Sequence, residues 1–216
     1  MEHAALSLQE TQEMMVFVSR EMVNKKDFLT QADKAIGDGD HGIGMARGFT
    51  AVGETLGGQE FSSLGEMFKT TGTVLLSSIG GAAGAVFGTL FRAGGKGLHG
   101  QDVFDSRALS CFLSDGLEAV KARGGAKLGD KTMVDALEPA ALKAKELESA
   151  PLGESLFEVS EAARQGMENT KEMIAGIGKA KTLGERSLGH PDPGAVSTHL
   201  LLSFMHEYLT RHSAGG

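Results

Sequence analysis

The sequence predicts an all-α protein. Nearly every segment of the 216-residue chain places its apolar residues at helical spacing, and the sustained apolar–polar alternation of strands is hard to find. Two capping boxes support this prediction, Ser7-x-x-Glu10 and Ser63-x-x-Glu66, because a serine and a glutamate at this spacing can satisfy the free backbone N–H groups at a helix start. No linker divides the chain, so we expect a single domain over residues 1–216.

The first half of the chain contains signals for several helices. The first helix follows Ser7 and carries a methionine-rich apolar face. The next two are predicted over residues 27–36 and 43–56, on either side of a glycine-rich acidic loop. A further helix enters an uncharged stretch, residues 70–91, which is long enough to span a membrane. Because that stretch contains five glycines and several hydroxyl groups, we predict two buried helices there, joined at residues 77–81.

Four further helices are predicted in the second half of the chain. Ser106 is a candidate N-cap for the first of them, and the Gly124-Gly125 pair is a candidate stop. The other three are predicted from their apolar periodicity over residues 133–148, 154–174 and 195–210.

Composition limits the partners and the compartment of the protein. The formal net charge is −7 and the isoelectric point is near 5.5. This balance argues against binding to nucleic acid, because proteins that bind a phosphate backbone present a basic face. The single cysteine, Cys111, excludes an internal disulfide and favours a reducing compartment. The N-terminus lacks the basic start and apolar run of a signal peptide, so we expect a cytoplasmic protein that does not associate with membranes.

The acidic loop at residues 33–48 is the strongest candidate for a metal site. It places Asp33, Asp38 and Asp40 among glycines, which permit turns that other residues resist. On a straight helix Asp38 would point about 140° away from Asp33, so the loop must turn if the three carboxylates are to meet. Ligands that are all oxygen favour a hard cation, and Mg²⁺ fits better than Ca²⁺ because the EF-hand pattern fails here. The alternative is an acidic, glycine-rich surface turn.

Two later segments are candidates for anion binding. Residues 124–132 nearly match a Walker phosphate-binding loop, but Asp130 interrupts the motif and no strand precedes it. We therefore reject the P-loop fold, although a glycine-rich helix start can still bind an anion through its free N–H groups. In the segment before the last helix, Arg186, His190 and Asp192 could contact a phosphate or a metal. Surface salt bridges are the alternative interpretation of these three residues.

Four motifs, taken in order, resemble the L subunit of dihydroxyacetone kinase, the nucleotide-binding half that is also called the Dak2 domain. The motifs are DKAIGDGDHGIGMARGF, LLSSIGGAAG, ARGGAKLGDKTM and LGERSLGHPDPGA, and the resemblance runs over nearly the whole chain. It implies an antiparallel up-and-down barrel of eight helices with ADP or ATP bound at one end.

The resemblance also implies the residues of the site. Asp33, Asp38 and Asp40 would bind two Mg²⁺ ions that bridge the nucleotide phosphates. Lys179 stands near the phosphates where the family commonly has arginine, so it keeps the positive charge but loses the bidentate fork. The other nucleotide contacts fall in two phosphate-binding turns, the adenine and ribose flank and the closing loop: His41, Gly42, Ile43, Gly44, Ser77, Ser78, Ala82, Ala83, Gly124, Thr132, Met133, Asp192, Pro193 and Gly194.

A subunit of this kind implies a phosphotransferase that acts on dihydroxyacetone or a similar short ketose. The ketose would be attached to a histidine of a partner K subunit, an M protein of the phosphotransferase system could recharge bound ADP, and a homodimer is expected. An ordinary ATP-dependent kinase subunit for a triose or tetrulose is the alternative within this class. Outside it, the motifs are also compatible with a fatty acid kinase domain and with a non-catalytic co-activator of a transcription regulator.

Overall fold

The computed structural model describes residues 4–213 and confirms the all-α class. The described residues contain nine α-helices rather than the eight that the resemblance implied, together with two three-residue strands and two 3₁₀ segments. The strands are β1 (Ala5–Ser7) and β2 (Val103–Asp105), and the 3₁₀ segments cover Thr170–Glu172 and Lys179–Ser187. The α-helices are α1 (Leu8–Asn24), α2 (Lys26–Ile36), α3 (His41–Gly57), α4 (Leu64–Ser78), α5 (Gly81–Lys96), α6 (Ser106–Gly124), α7 (Val134–Glu146), α8 (Leu152–Asn169) and α9 (Pro193–Ser213).

Neighbouring helices pack in a closed order. Helix α1 packs on α3, each helix from α3 to α8 packs on the next one along the chain, and α9 returns to α1. Helix α2 is not part of this order and packs mainly against α3, with further contacts to α9. The short α2 is therefore the additional helix, and its last turns carry the first acid of the acidic loop, Asp33.

Apolar side chains from all the helices fill one continuous core. An aromatic cluster lies where α4, α5 and α6 meet β2. The ring of Phe68 has its centroid 6.2 Å from that of Phe91, 5.7 Å from that of Phe104 and 4.7 Å from that of Phe112. All three pairs are tilted, an arrangement that adds to the stabilisation from burial alone.

The uncharged stretch forms two helices, as predicted. Helix α4 ends at Ser78 and α5 begins at Gly81, and the intervening Gly80 has a positive φ of 80°. Glycine also lets the two helices approach closely, because a Cβ at Gly72 would lie 2.6 Å from the backbone nitrogen of Arg92. Within residues 4–213, no helix is both long enough and apolar enough to cross a membrane.

The start of α6 differs from the prediction. Asp105 rather than Ser106 is the N-cap, and its carboxylate accepts a hydrogen bond from the Ala108 N–H at 2.8 Å. The Ser106 hydroxyl instead donates to the Ala150 carbonyl at 2.7 Å. Asp105 also ends β2, which pairs antiparallel with β1. Strands of three residues are too short to show an alternation in the sequence, which is why they were not predicted.

The ends of α1 and α8 illustrate one confirmed and one incorrect prediction. At the start of α1, the Ser7 hydroxyl accepts from the Glu10 N–H and the Glu10 carboxylate accepts from the Ser7 N–H, so the capping box is confirmed.

Helix α8 ends at Asn169, five residues before its predicted end. The Thr170 carbonyl accepts from the buried ammonium of Lys131 at 2.5 Å, and the chain turns into its 3₁₀ segment there.

Candidate functional site

One cavity of about 580 Å³ lies where four helices begin. The first residues of α3, α5, α7 and α9 all line it, namely His41, Gly81, Val134 and Pro193. The first N–H groups of a helix have no helical partner, and the helix dipole is positive at that end. Four helix starts around one cavity therefore favour an anionic ligand, and the volume suits a small molecule.

Apolar side chains form another part of the cavity wall. Val86 and Phe87 come from α5, Val120 from α6, Met133 from the residue before α7, and Ile177 from the loop after α8. An apolar wall together with several helix starts suits a ligand that carries both a flat ring and phosphate groups.

The acidic loop brings its three carboxylates together, as predicted. Asp33, Asp38 and Asp40 each offer an oxygen within 4.8 Å of the others. Between them Gly39 has a positive φ of 78°, a conformation that side chains disfavour. Asp33 is buried and its Oδ2 accepts from the His41 N–H at 3.1 Å, whereas Asp38 and Asp40 are exposed. We refer to these three residues as the acidic cluster.

A cation already lies against the acidic cluster. The Lys179 ammonium donates a hydrogen bond to the Asp38 carboxylate and lies 3.4 Å from Asp40 Oδ2. This hydrogen bond raises the pKa of Lys179 and lowers the pKa of Asp38. The two exposed carboxylates therefore form a position that a positive charge can occupy.

Most site residues predicted from the sequence line the cavity. Four of the predicted residues do not, namely Gly42, Ser77, Ser78 and Asp38, although Asp38 belongs to the acidic cluster. The predicted residues that line the cavity are Asp33, Asp40, His41, Ile43, Gly44, Ala82, Ala83, Gly124, Thr132, Met133, Lys179, Asp192, Pro193 and Gly194.

The two serines before the glycine turn are used within the protein. The Ser77 hydroxyl donates to the Thr73 carbonyl of its own helix at 3.2 Å. The Ser78 carbonyl accepts from Arg47 Nε at 2.5 Å, and the Ile79 carbonyl accepts from Arg47 Nη2 at 2.6 Å. Neither serine lines the cavity, and their phosphate contacts stay a prediction. Arg47, which the sequence analysis missed, lines the cavity and holds this turn in place.

Gly42 packs against α2 instead of lining the cavity. A Cβ at this position would lie 2.3 Å from the Lys26 carbonyl oxygen and 2.4 Å from the Thr30 backbone nitrogen. The absence of a side chain at Gly42 thus permits the close approach of α2 and α3, which places Asp33 against the start of α3.

Replacing Gly42 by alanine should lower the free energy of unfolding by about 2 kcal/mol, because the new methyl group would press on backbone atoms that cannot rotate away. Urea unfolding followed by circular dichroism measures the change. Gly57→Ala is the matched control, since Gly57 ends the same helix and a Cβ there meets nothing within 4 Å. The control should be neutral or should stabilise by up to about 1 kcal/mol. Equal stabilities of the two variants would contradict the packing role.

Burial at the start of α3 favours the neutral form of His41. The ring is buried, and its Nε2 lies 2.7 Å from the Ser197 hydroxyl. Burial lowers the pKa of His41, although Asp33 and Asp40 nearby act to raise it. A neutral imidazole adds no positive charge, so attraction for an anion at this position comes from the helix start.

The loop before α7 depends on two residues that the sequence analysis did not assign to the site. The Asp135 carboxylate accepts from the Thr132 N–H at 2.6 Å. Lys131 is only 2% exposed and has a positive φ of 60°, which is uncommon for a residue with a side chain. Its ammonium donates to the Thr170 carbonyl at 2.5 Å and to the His190 carbonyl at 2.6 Å. Lys131 therefore ties three segments together at the wall of the cavity, which it also lines.

The closing loop is shaped by Asp192. Its carboxylate accepts from the Ala195 N–H at 2.8 Å, with Pro193 in the first helical position, so α9 begins two residues before its predicted start. Burial raises the pKa of Asp192 to about 7, against the lowering effect of the Ala195 N–H. Arg186 and His190, the other candidates in this segment, do not line the cavity.

The DAK2 domain matches residues 35–207, which is most of the chain. The chain belongs to the DAK2 domain family. It is 40% identical over 182 residues to the PEP-dependent dihydroxyacetone kinase 1, ADP-binding subunit DhaL, of Listeria innocua, covering 83% of this chain and 86% of that one. It is 37% identical over 183 residues to the corresponding DhaL subunit of Escherichia coli K12, covering 84% and 87% of the two chains.

The DAK2 chain also resembles a solved structure, the dihydroxyacetone kinase from C. freundii in complex with AMP-PNP and Mg²⁺. The TM-score is 0.72 at 27% sequence identity. The match covers 91% of this chain and 33% of that one, so it extends to one part of that kinase.

Proposed function

We propose that this DAK2 chain is the ADP-binding subunit of a dihydroxyacetone-type kinase and that it holds a magnesium nucleotide in the cavity. One observation carries the proposal: the acidic cluster lies at the cavity around which four helices begin. Metal ligands and donors for an anion are thus placed side by side. In support, the relatives that match over most of their length are named as ADP-binding subunits of such a kinase.

The acidic cluster fits Mg²⁺. Asp33, Asp38 and Asp40 offer only oxygen ligands, which Mg²⁺ prefers, and the Lys179 ammonium lies against two of them as a stand-in cation. When bound, Mg²⁺ would offset negative charge on the phosphates during transfer. The proposal includes two such ions, as the resemblance to the family implies.

We assign the nucleotide phosphates to the first turns of α3 and α5, at His41, Gly44 and Ala82. We assign the adenine to the apolar wall near Val120 and Met133. The residues of this chain then bind and orient the nucleotide. Phosphoryl transfer between oxygens needs little more than such positioning and charge neutralisation. Because the three acids are engaged as metal ligands in this arrangement, none of them is assigned as a general base.

A ketose kinase also needs a site for its sugar, which we assign to a partner K subunit. The proposed assembly further includes a homodimer of this chain and an M protein that recharges bound ADP. The words "PEP-dependent" in the names of the two relatives favour bound ADP over exchangeable ATP. Dihydroxyacetone or a close short-chain analogue is the proposed acceptor.

The proposal is tested by denaturing the purified protein without added nucleotide and identifying what it releases by anion-exchange chromatography. Close to one ADP per chain would support a tightly held coenzyme. An empty protein that binds Mg-ATP reversibly would instead support the ordinary ATP-dependent subunit. An empty protein that binds neither nucleotide would refute the proposed function.

A further inference from the structure

The Lys179 ammonium lies where the proposed function puts a metal ion. We propose that Lys179 is an internal counterion of the acidic cluster, which competes with Mg²⁺ for Asp38 and Asp40 and leaves these two carboxylates when the metal binds. The inference rests on the proposed function, because both concern the carboxylates of Asp38 and Asp40.

Lys179 bridges the two exposed members of the acidic cluster. Its ammonium donates to the Asp38 carboxylate and lies 3.4 Å from Asp40 Oδ2. The third member, Asp33, is buried and accepts from the His41 N–H. Three carboxylates with oxygens within 4.8 Å of one another repel when no cation is near. The ammonium relieves this repulsion and keeps the cluster assembled.

The ammonium and a metal ion compete for the same two carboxylates, Asp38 and Asp40. A lysine ammonium offers only donors, and each of its hydrogen bonds uses a lone pair of a carboxylate oxygen. Mg²⁺ binds carboxylate oxygens at about 2.1 Å, and it repels a second positive centre held against the same carboxylates. Repulsion between the two cations therefore favours release of Lys179 from Asp38 and Asp40 when a metal ion binds to the nucleotide-free protein.

The segment that carries Lys179 can release it. Lys179 begins the 3₁₀ segment Lys179–Ser187, which follows Gly178 at a positive φ of 74° and is kinked at Gly184. Within the segment only Ser187 is buried. Few buried contacts permit local opening at small cost in free energy. The flexible four-carbon stem of lysine then allows the displaced ammonium to turn toward an anion in the cavity that Lys179 lines.

Metal binding to the nucleotide-free protein tests the inference. Mn²⁺ is the probe, because it accepts the same oxygen ligands as Mg²⁺ and free Mn²⁺ is counted by its paramagnetic resonance signal. Lys179→Met removes the charge and keeps an apolar stem. We expect this variant to bind Mn²⁺ about three- to tenfold more tightly than wild type at low ionic strength, since no ammonium has to be displaced.

Two variants serve as controls for this experiment. Lys181→Met removes an equal charge from an exposed position in the same segment and should change the Mn²⁺ affinity by less than about twofold. Lys179→Arg keeps a positive charge beside the carboxylates and should retain the weaker affinity of the wild type.

Chemical labelling gives a second measurement. In the metal-free wild type, Lys179 should react slowly with acetic anhydride, because its ammonium is held by two carboxylates. Adding Mn²⁺ should increase its acetylation, with Lys181 in the same segment as the internal reference for peptide mass spectrometry. Unchanged labelling of Lys179 on saturation with Mn²⁺ would contradict its release.

The outcomes separate this inference from the proposed function. If Lys179→Met binds Mn²⁺ no more tightly than wild type, including the case in which neither binds it, the inference is overturned. If the wild type also fails to bind Mn²⁺ together with ADP, the proposed function is refuted as well. Tighter Mn²⁺ binding by Lys179→Met, with Lys181→Met unchanged, supports the counterion role.

Discussion

Replacing Asp38 by alanine should weaken magnesium-dependent ADP binding by more than about a hundredfold, because even groups that only support metal ligands are worth roughly 10- to 100-fold in affinity. The helical fold should persist, since Asp38 is exposed and lies in the loop between α2 and α3. Calorimetric titration of ADP with and without Mg²⁺ measures the loss, and far-UV circular dichroism reports on the fold.

Asp102→Ala is the matched control for this experiment. Asp102 is an exposed acid between α5 and β2 that does not line the cavity, so the control changes the net charge by the same amount. It should leave the ADP affinity at the wild-type value. If Asp38→Ala bound magnesium and ADP as the control does, the assignment of Asp38 as a metal ligand would be wrong.

Replacing Lys131 by methionine should lower the free energy of unfolding by about 3 kcal/mol. The Lys131 side chain is buried, and its ammonium donates to the carbonyls of Thr170 and His190. Methionine fills a similar volume but has no donor, so both carbonyls would lose this partner. Urea denaturation at neutral pH measures the change.

Lys127→Met separates this role from a general effect of charge. Lys127 is an exposed lysine of the same loop, and its replacement should alter the free energy of unfolding by less than about 0.5 kcal/mol. A P-loop lysine would give the opposite pattern, because Lys131→Met would then keep its stability and lose ADP binding. Such a result would show that the Lys131 ammonium serves the ligand rather than the fold.

Features of the fold that depend on local contacts were predictable from the sequence. The capping box of α1 joins Ser7 to Glu10, three residues apart, and the predicted start of that helix was correct. The predicted N-cap of α6 was wrong because Asp105 and Ser106 are both good capping residues. The choice between them depends on a distant partner, since the Ser106 hydroxyl is taken by the Ala150 carbonyl.

The same distinction holds for the candidate site. The grouping of Asp33, Asp38 and Asp40 was predictable, because these acids are close in sequence and the glycines between them mark a turn. The contact of Lys179 with Asp38 joins residues 141 positions apart, and that of Lys131 with His190 joins residues 59 positions apart. The spacing of apolar residues carries no information about such distant pairings. The resemblance to the family placed Lys179 near the phosphates, but it did not predict the contact of Lys179 with Asp38 and Asp40.

The hydrophobic core includes the methionine-rich face of α1, a helix that lies before the stretch covered by the family match. Met14, Met15, Val18 and Met22 are all fully buried, and burying side chains of this size contributes about 2 kcal/mol each. The family match starts at residue 35, so a fragment cut there would lose this helix and also Asp33. Such a fragment would expose the apolar surface that α1 covers and should aggregate. Domain boundaries for expression of this protein therefore need to begin before residue 8.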